Sequence, residues 1–552
     1  MILQIFICLL MMAFCSLLIT QGRRRKIWSV LLLFGLGIIS YFFVISLNAQ
    51  PQGSFIYQWL PYNILKADFN ISDAKNIQQM LRPLIIMLLG LVYLNTISKG
   101  EQHSLHFNTL LILNFIALIL MLSSHDFLQL MFAGCMFSVI GFYMPDSIAP
   151  KKNLFIFYFL AETAIFIAFA VVYGSTRSIS LADMSLFVKN GQHKDIVSGL
   201  LLFAIACKSG LFLLNEHYFN LKHISSNRIV CTMLTSVPVS ALVLLIKIKP
   251  LLNATSLVPD ILPYWIGLSI VVCLLFYLFN NNLKTKIISL LMSAIAFSLH
   301  FIYKNSDLLY DLVPYVLCVA FLISLSLILV FNSASKEPDI SYIGGFWRIT
   351  KLNFVLNLLL GITSLAILSR FPLNKYENIY VICLTAVVFA VLRRIFLTKP
   401  CDNNVILANA KSTGILYALP LAVISGWFLW QTKFWNFRSF YILFAIAVFM
   451  LILAPTKIID IISSWKIWQN SYLTGFYENI FIRPLRLFGR ILWLAFDVMV
   501  VERSIVSTIS HLSKAFVGGM HKIQESGKYS YLLSIVTGAL IIIVYFLRNI
   551  YK

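Results

Sequence analysis

The sequence predicts an all-α polytopic membrane protein. It should have about sixteen transmembrane helices, two inverted five-helix repeats and a long C-terminal lateral helix. Three observations predict this. The 552 residues are 60% hydrophobic and only 12% charged, against roughly 25% charged in soluble domains, and the mean hydropathy is +0.87. Apolar runs long enough to cross a bilayer recur from end to end. The basic residues fall mainly between those runs. A net charge of +22 in a soluble chain would suggest nucleic acid. Here it sits in short loops, where it signals topology, so the expected partner is the lipid bilayer and nucleic-acid binding is excluded.

In chain order, the candidate spans are 2–20, 27–48, 78–97, 106–123, 126–145, 153–173, 197–215, 229–249, 259–280, 284–303, 311–331, 352–371, 377–396, 413–430, 438–455 and 529–547. The first could pass for a signal peptide. It lacks a charged start and a small-residue cleavage site, and Arg23-Arg24-Arg25-Lys26 follows it, so it reads as a retained helix. Under this count Arg23 to Lys26, Lys151-Lys152, Lys284 with Lys286, and Arg393-Arg394 with Lys399 share one side. That side should be cytoplasmic, with both termini opposite.

Three stretches do not read as spans. Residues 49–77, aromatic and turn-rich, suit a small hairpin on the outer face. Residues 174–195, with SISLADMSLFVKN, suit a capped interfacial helix. Residues 456–528 are too charged to span and too apolar for a solvated linker. A helix of that length would reach on the order of 100 Å. Pro484 should kink or restart it. Either a pair of interfacial helices or a strut along the membrane fits this pattern.

The stretch from 200 to 252 carries the clearest anomaly. Lys208 lies within an apolar span, a polar interruption runs from Asn215 to Arg228, and a second apolar span runs to Pro250. An ammonium in hydrocarbon costs at least a few kcal/mol, so it needs a partner, a watery cavity or a task. Glu162 is mid-span in LAETAIF and reads as the counter-ion of Lys208, a proton-carrying carboxylate or a neutral hydrogen-bonded acid. Lys375 and Glu377 follow Phe371-Pro372, where a helix should break. Arg393 and Arg394 lie near a span end and should snorkel. His300 is the main histidine within a span. Nine cysteines show no CxxC and no Cys/His cluster. Cys135, Cys207 and Cys318 read as small core residues, and no cofactor or metal is expected on this chain. Lys208 and Lys375 stand five spans apart, which suits two inverted five-helix units, spans 4–8 and 9–13.

Four stretches resemble the antiporter-like membrane subunits of respiratory NADH:quinone oxidoreductase (complex I), closest to its chain L; multisubunit cation/proton antiporter subunits are related to these. LLLFAIACKSGLFLLNEHYF places Lys208-Ser209 on the family's Lys-Ser. PVSALVLLIKIKPLL occupies the place of the following helix. NNNLKTKIISLLMSAIAF resembles the segment opening the second repeat. GFYENIFIRPLRLFGRILW, followed by a last span, resembles the end of chain L. The resemblance implies an N-terminal part with hairpin (1–105), repeats at 106–252 and 253–396, C-terminal spans at 397–455, a lateral helix at 456–528 and an anchoring helix at 529–552. It implies other membrane-arm subunits of NADH:quinone oxidoreductase as partners. The setting would be the inner (cytoplasmic) membrane of a bacterium or an equivalent energy-transducing membrane. It implies a role in respiratory proton translocation with no catalysis, NADH, flavin or cluster on this chain.

The departures are as informative. Met136 stands where the family pairs a glutamate with the lysine, so Lys208 should face Met136. Met233, Tyr315, Val319 and Ile323 replace the family's histidines and lysine further on. Leu213, Phe219 and Asn227 replace prolines around the break, and Tyr376 replaces an acid beside Lys375. Lys208, Glu162, Lys375 and Glu377 remain as proton-path candidates. Met, Val and Ile neither carry protons nor hold ordered water, so pumping should be impaired. A cation/proton antiporter subunit and a non-pumping structural paralogue are the alternatives.

Overall fold

The computed structural model describes residues 2–18, 54–58, 68–72, 75–97, 104–145, 148–181, 193–252, 257–304, 309–332, 375–397, 437–453, 456–463 and 483–492, plus scattered single positions. The expected spans at 352–371, 413–430 and 529–547 lie outside these apart from isolated positions. So does most of 27–48.

The chain opens with α1 (Ile2–Leu18), then β1 (Ser54–Gln58) and β2 (Asp68–Ser72). The strands pair antiparallel, Ser54 opposite Ser72 and Gln58 opposite Asp68, a hairpin inside the turn-rich stretch 49–77. The helices α2 (Lys75–Ile97), α3 (Ser104–Ser123), α4 (Phe127–Tyr143), α5 (Ile148–Thr176) and α6 (Lys194–Ser209) follow. Then come the short α7 (Glu216–Phe219), a 3-10 turn (Asn220–His223), α8 (Ser226–Thr235) and α9 (Val237–Leu252). The long α10 (Leu257–Phe279), α11 (Leu283–Lys304) and α12 (Leu309–Asn332) precede α13 (Lys375–Phe396), α14 (Phe437–Leu453) and α15 (Thr456–Ser463). All of these belong to one compact unit ending at Ser471. A second unit begins at Tyr472 and contains α16 (Arg483–Leu492).

Among the described residues, six segments are long and apolar enough to cross a bilayer: His106–Ser123, Asn153–Thr176, Ser226–Leu252, Asp260–Phe279, Leu283–Lys304 and Asn378–Phe396. The protein is a multi-pass helical membrane protein. The segments differ in what surrounds them. The α8–α9 segment and α11 are almost wholly enclosed by other helices, whereas α5 and α10 leave much of their surface open. Phe155, Phe159 and Phe166 of α5 and Ile261, Leu268 and Val271 of α10 are exposed. In lipid such outward apolar side chains carry no penalty, so apolar residues occur on every face and only polar ones mark the interior.

Backbone breaks follow local chemistry. The expected span 229–249 is two helices, split at Ser236, whose φ of −105° and ψ of −145° leave the helical region. Thr235 and Ser236 hydroxyls bond back to the carbonyls of Cys231 and Thr232, a pattern that bends helices. Pro238 follows in the first turn of α9, where its missing N–H costs nothing. Pro83 lies inside α2, and its carbonyl accepts the Cys318 thiol at 3.7 Å. Cys207, Cys231, Cys273 and Cys318 are buried; Cys135, on α4, is exposed and not a core residue.

Within 174–195, α5 continues to Thr176, and residues 177–181 are not helical. Phe127 N–H bonds Ile179 O and Leu181 N–H bonds His125 O, both at 2.9 Å. The rest of the expected interfacial helix lies outside the described residues. In the tail, α15, α16 and four positions between 510 and 514 are the described parts of 456–528. Pro484 sits at the second position of α16, in its first turn, where a proline is tolerated. Arg483, Arg486 and Arg490 fall on one side of α16 by helical spacing.

Candidate functional site

The site forms where α6 stops. Lys208 is the penultimate residue of α6, and Gly210 follows with a φ of 66°. Gly210 N–H bonds Ala206 O, and Leu211 N–H reaches the same carbonyl at 3.1 Å. This left-handed cap is the glycine solution to a helix end. A β-carbon at position 210 would lie 2.6 Å from Tyr218 Cδ2 and 2.8 Å from Met292 Cε, so space and dihedral both demand glycine. Leu213 also has a positive φ, 74°, an uncommon state for a large side chain.

The freed backbone of the break is held by α10. Phe212 N–H donates to Ser269 Oγ at 2.8 Å, and Trp265 Nε1 donates to Phe212 O at 2.8 Å. Irregular backbone survives at membrane depth only with such partners. Tyr218, from α7, donates its hydroxyl to Lys208 O at 2.5 Å. An orphan carbonyl of the helix end is thereby satisfied.

The Lys208 side chain is fully enclosed and meets Glu162 of α5. Nζ lies 2.6 Å from Oε1, with side-chain exposures of 0% and 16%. Ser138 of α4 donates to the same Oε1 at 2.5 Å. One carboxylate oxygen thus receives an ammonium and a hydroxyl, both shortened as charge-assisted bonds are. The end of α6 adds the negative pole of its dipole beside the cation.

The α4 surface over this pair is Gly134 and Ser138, four residues apart on one face. A β-carbon at 134 would stand 3.3 Å from Lys208 Nζ and 3.6 Å from Glu162 Oε2. Met136, two residues from each, points to another side of the helix. The residue facing Lys208 is therefore not Met136 but a glycine, and the counter-charge comes from α5. Helical spacing could have flagged Gly134 and Ser138 as a small-and-polar stripe; nothing in the sequence singled out Trp265, Ser269 or Tyr218.

Lys375 and Glu377 occupy the first turn of α13. Lys375 thus opens the helix after Pro372 rather than closing the one before it. Met233 is fully buried, as are Val319 and, nearly so, Ile323 and Tyr315. Arg394 does not snorkel. It is buried, its Nε lies 2.7 Å from Asp460 Oδ1 of α15, and one terminal nitrogen donates to Asn281 Oδ1 at 3.0 Å and Ser463 Oγ at 3.1 Å. His300 lies on α11 near its C-terminal end.

No family model and no curated protein matches the sequence. Solved structures do match in fold. A chain of the membrane-bound sulfane sulfur reductase, an archaeal respiratory membrane complex, is similar over 76% of this chain and 75% of its own, with a TM-score of 0.60 and 13% identity. A chain of the Mrp complex from Dietzia sp. DQ12-45-1b is similar over 98% of this chain, with a TM-score of 0.61 and 14% identity. This protein spans only 62% of that chain's length. A chain of respiratory complex I from Thermus thermophilus is similar over 77% of this chain and 96% of its own, with a TM-score of 0.57 and 14% identity. The fold is one shared with these chains of membrane complexes.

Proposed function

We propose that this chain is a membrane subunit, similar to chain L, of an energy-transducing complex of the NADH:quinone oxidoreductase type. Its ion pair at the broken helix is the remaining functional element. The observation that carries the reading is the Lys208–Glu162 contact of 2.6 Å, placed beside a helix break in the fold of such subunits. Protonation of Glu162 removes the counter-charge and releases Lys208, and ionisation recaptures it. Ser138 keeps the Oε1 atom in place through the cycle. Lys375 and Glu377 are the corresponding candidates in the second repeat, 253–396, and residues 456–528 serve as the lateral helix anchored by 529–552. The buried apolar residues at 233, 319 and 323 interrupt the chain of titratable groups, which supports impaired proton translocation. The partners are other membrane-arm subunits, and the chain contributes no redox centre.

A second reading, a cation/proton antiporter subunit, is favoured by the match to the Mrp chain. That match runs over 98% of this chain, so the C-terminal tail does not separate the two readings. One experiment divides them. The native membrane complexes are isolated through a tag on this chain, and Lys208→Ala is compared with wild type for NADH-driven proton uptake and for growth at high sodium and alkaline pH. Co-purification with NADH dehydrogenase activity and a loss of proton uptake supports the first reading. Loss of sodium tolerance with NADH oxidation unchanged supports the second. A variant indistinguishable from wild type in both assays leaves only a scaffold role.

A further inference from the structure

Away from the ion pair, α10, α11 and α13 enclose a cavity of about 620 Å³, a size typical of ligand sites, which span roughly 300–1,000 Å³. Its depth is readable from the helices. Pro263 and Leu274 of α10 both line it, a separation of about 16 Å along the axis. That is half of a hydrocarbon core of about 30 Å. Leu274 lies at the deep end, and the stacked rings of Phe297 and Tyr380, whose centroids are 4.0 Å apart, add to the apolar wall.

The shallow end is different. Lys304, the last residue of α11, and His300, one turn earlier, line it, with Tyr264 at 81% exposure beside them. Asp260, one turn before Tyr264, is not among the lining residues. Gly267 lines the wall, and a β-carbon there would meet no atom within 4 Å. An aromatic residue and a lysine at a helix end are the signature of the bilayer interface, so the cavity runs from the interface to mid-membrane. We infer that this cleft between α10, α11 and α13 binds one anionic phospholipid. Its phosphate meets Lys304 and His300, and an acyl chain lies along Gly267 and Phe297 toward Leu274. The charge at the mouth selects an anion, and the apolar depth matches one leaflet.

The test uses the full-length chain in detergent, titrated with phosphatidylglycerol or phosphatidylcholine of equal chain length and read by native mass spectrometry. We expect one phosphatidylglycerol per chain, retained about tenfold more tightly than phosphatidylcholine, the scale of one charge-assisted contact. Lys304→Gln with His300→Gln should abolish the preference; Lys304 is exposed at a helix end, so the variant keeps its fold. Gly267→Leu should lower retention of both lipids without changing the circular dichroism spectrum. Equal retention of the two lipids by the wild type overturns the proposal, as does a preference that survives the double substitution. Displacement of phosphatidylglycerol by inorganic phosphate at equal concentration also overturns it, because the acyl chain would then contribute nothing.

Discussion

Two ion pairs in this protein have nearly the same length and opposite surroundings. Lys208 and Glu162 are 2.6 Å apart with exposures of 0% and 16%; Arg394 and Asp460 are 2.7 Å apart with exposures of 5% and 54%. The first joins the spanning helix α5 to the end of α6, next to a backbone break. The second ties the end of α13 to the short α15, and its carboxylate is open to the surroundings. Distance alone therefore says little. A buried pair is held by the high cost of leaving either partner alone, whereas a half-exposed pair exchanges easily with solvent. The arginine has further partners in Asn281 and Ser463, while the lysine amine has Glu162 beside the space left by Gly134.

The largest effect should come from splitting the buried pair. Glu162→Gln is expected to cost about 3–5 kcal/mol of stability, because it strands the ammonium. Pairing it with Lys208→Met should recover most of that loss. Reversible unfolding in mixed micelles measures both, and a double variant no more stable than Glu162→Gln would show that the two residues do not act as a unit. Next comes Gly210→Ala, expected to cost about 1–3 kcal/mol from its positive φ, with the contact to Tyr218 adding to it. Its signature is a displaced Tyr218, followed by tyrosine fluorescence or cross-linking. Ser138→Ala should cost about 1.5–3 kcal/mol at most, the range for a hydrogen bond to a charged group, and should leave Lys208 paired. The smallest effect belongs to Asp460→Asn, about 0–1 kcal/mol and screened by salt. A loss at Asp460 equal to that at Glu162 would erase the contrast between the two pairs.

Much of the bundle was legible in the sequence because lipid demands it. Runs of about 20 apolar residues have few other uses, so α3, α5, α10, α11 and α13 sit within a few residues of their expected ends. Glu162 and Lys208 stood out for the same reason. Breaks were less legible. The interruption was placed at Asn215, yet the helix ends at Ser209, because Gly210 offers a left-handed cap that hydropathy does not register. Ser236 divides a continuous apolar run through side-chain bonds to its own backbone, invisible to any sliding average. The assignment of Met136 as the residue facing Lys208 failed on helical phase. A motif position fixes a residue along the chain, but the direction it points depends on where the helix begins. Arg394 was misjudged for a related reason. Its partners Asn281, Asp460 and Ser463 lie on other elements, far away in sequence.

The two bonds at Phe212 carry a consequence for motion. Its N–H and its carbonyl are both taken by α10, through Ser269 and Trp265. The loop that follows Lys208 is therefore tied to α10. Any displacement that lifts the lysine from Glu162 must either drag α10 along or release both bonds at once. A substitution at Trp265 or Ser269 would therefore reach the backbone beside the lysine mechanically, with no change of charge.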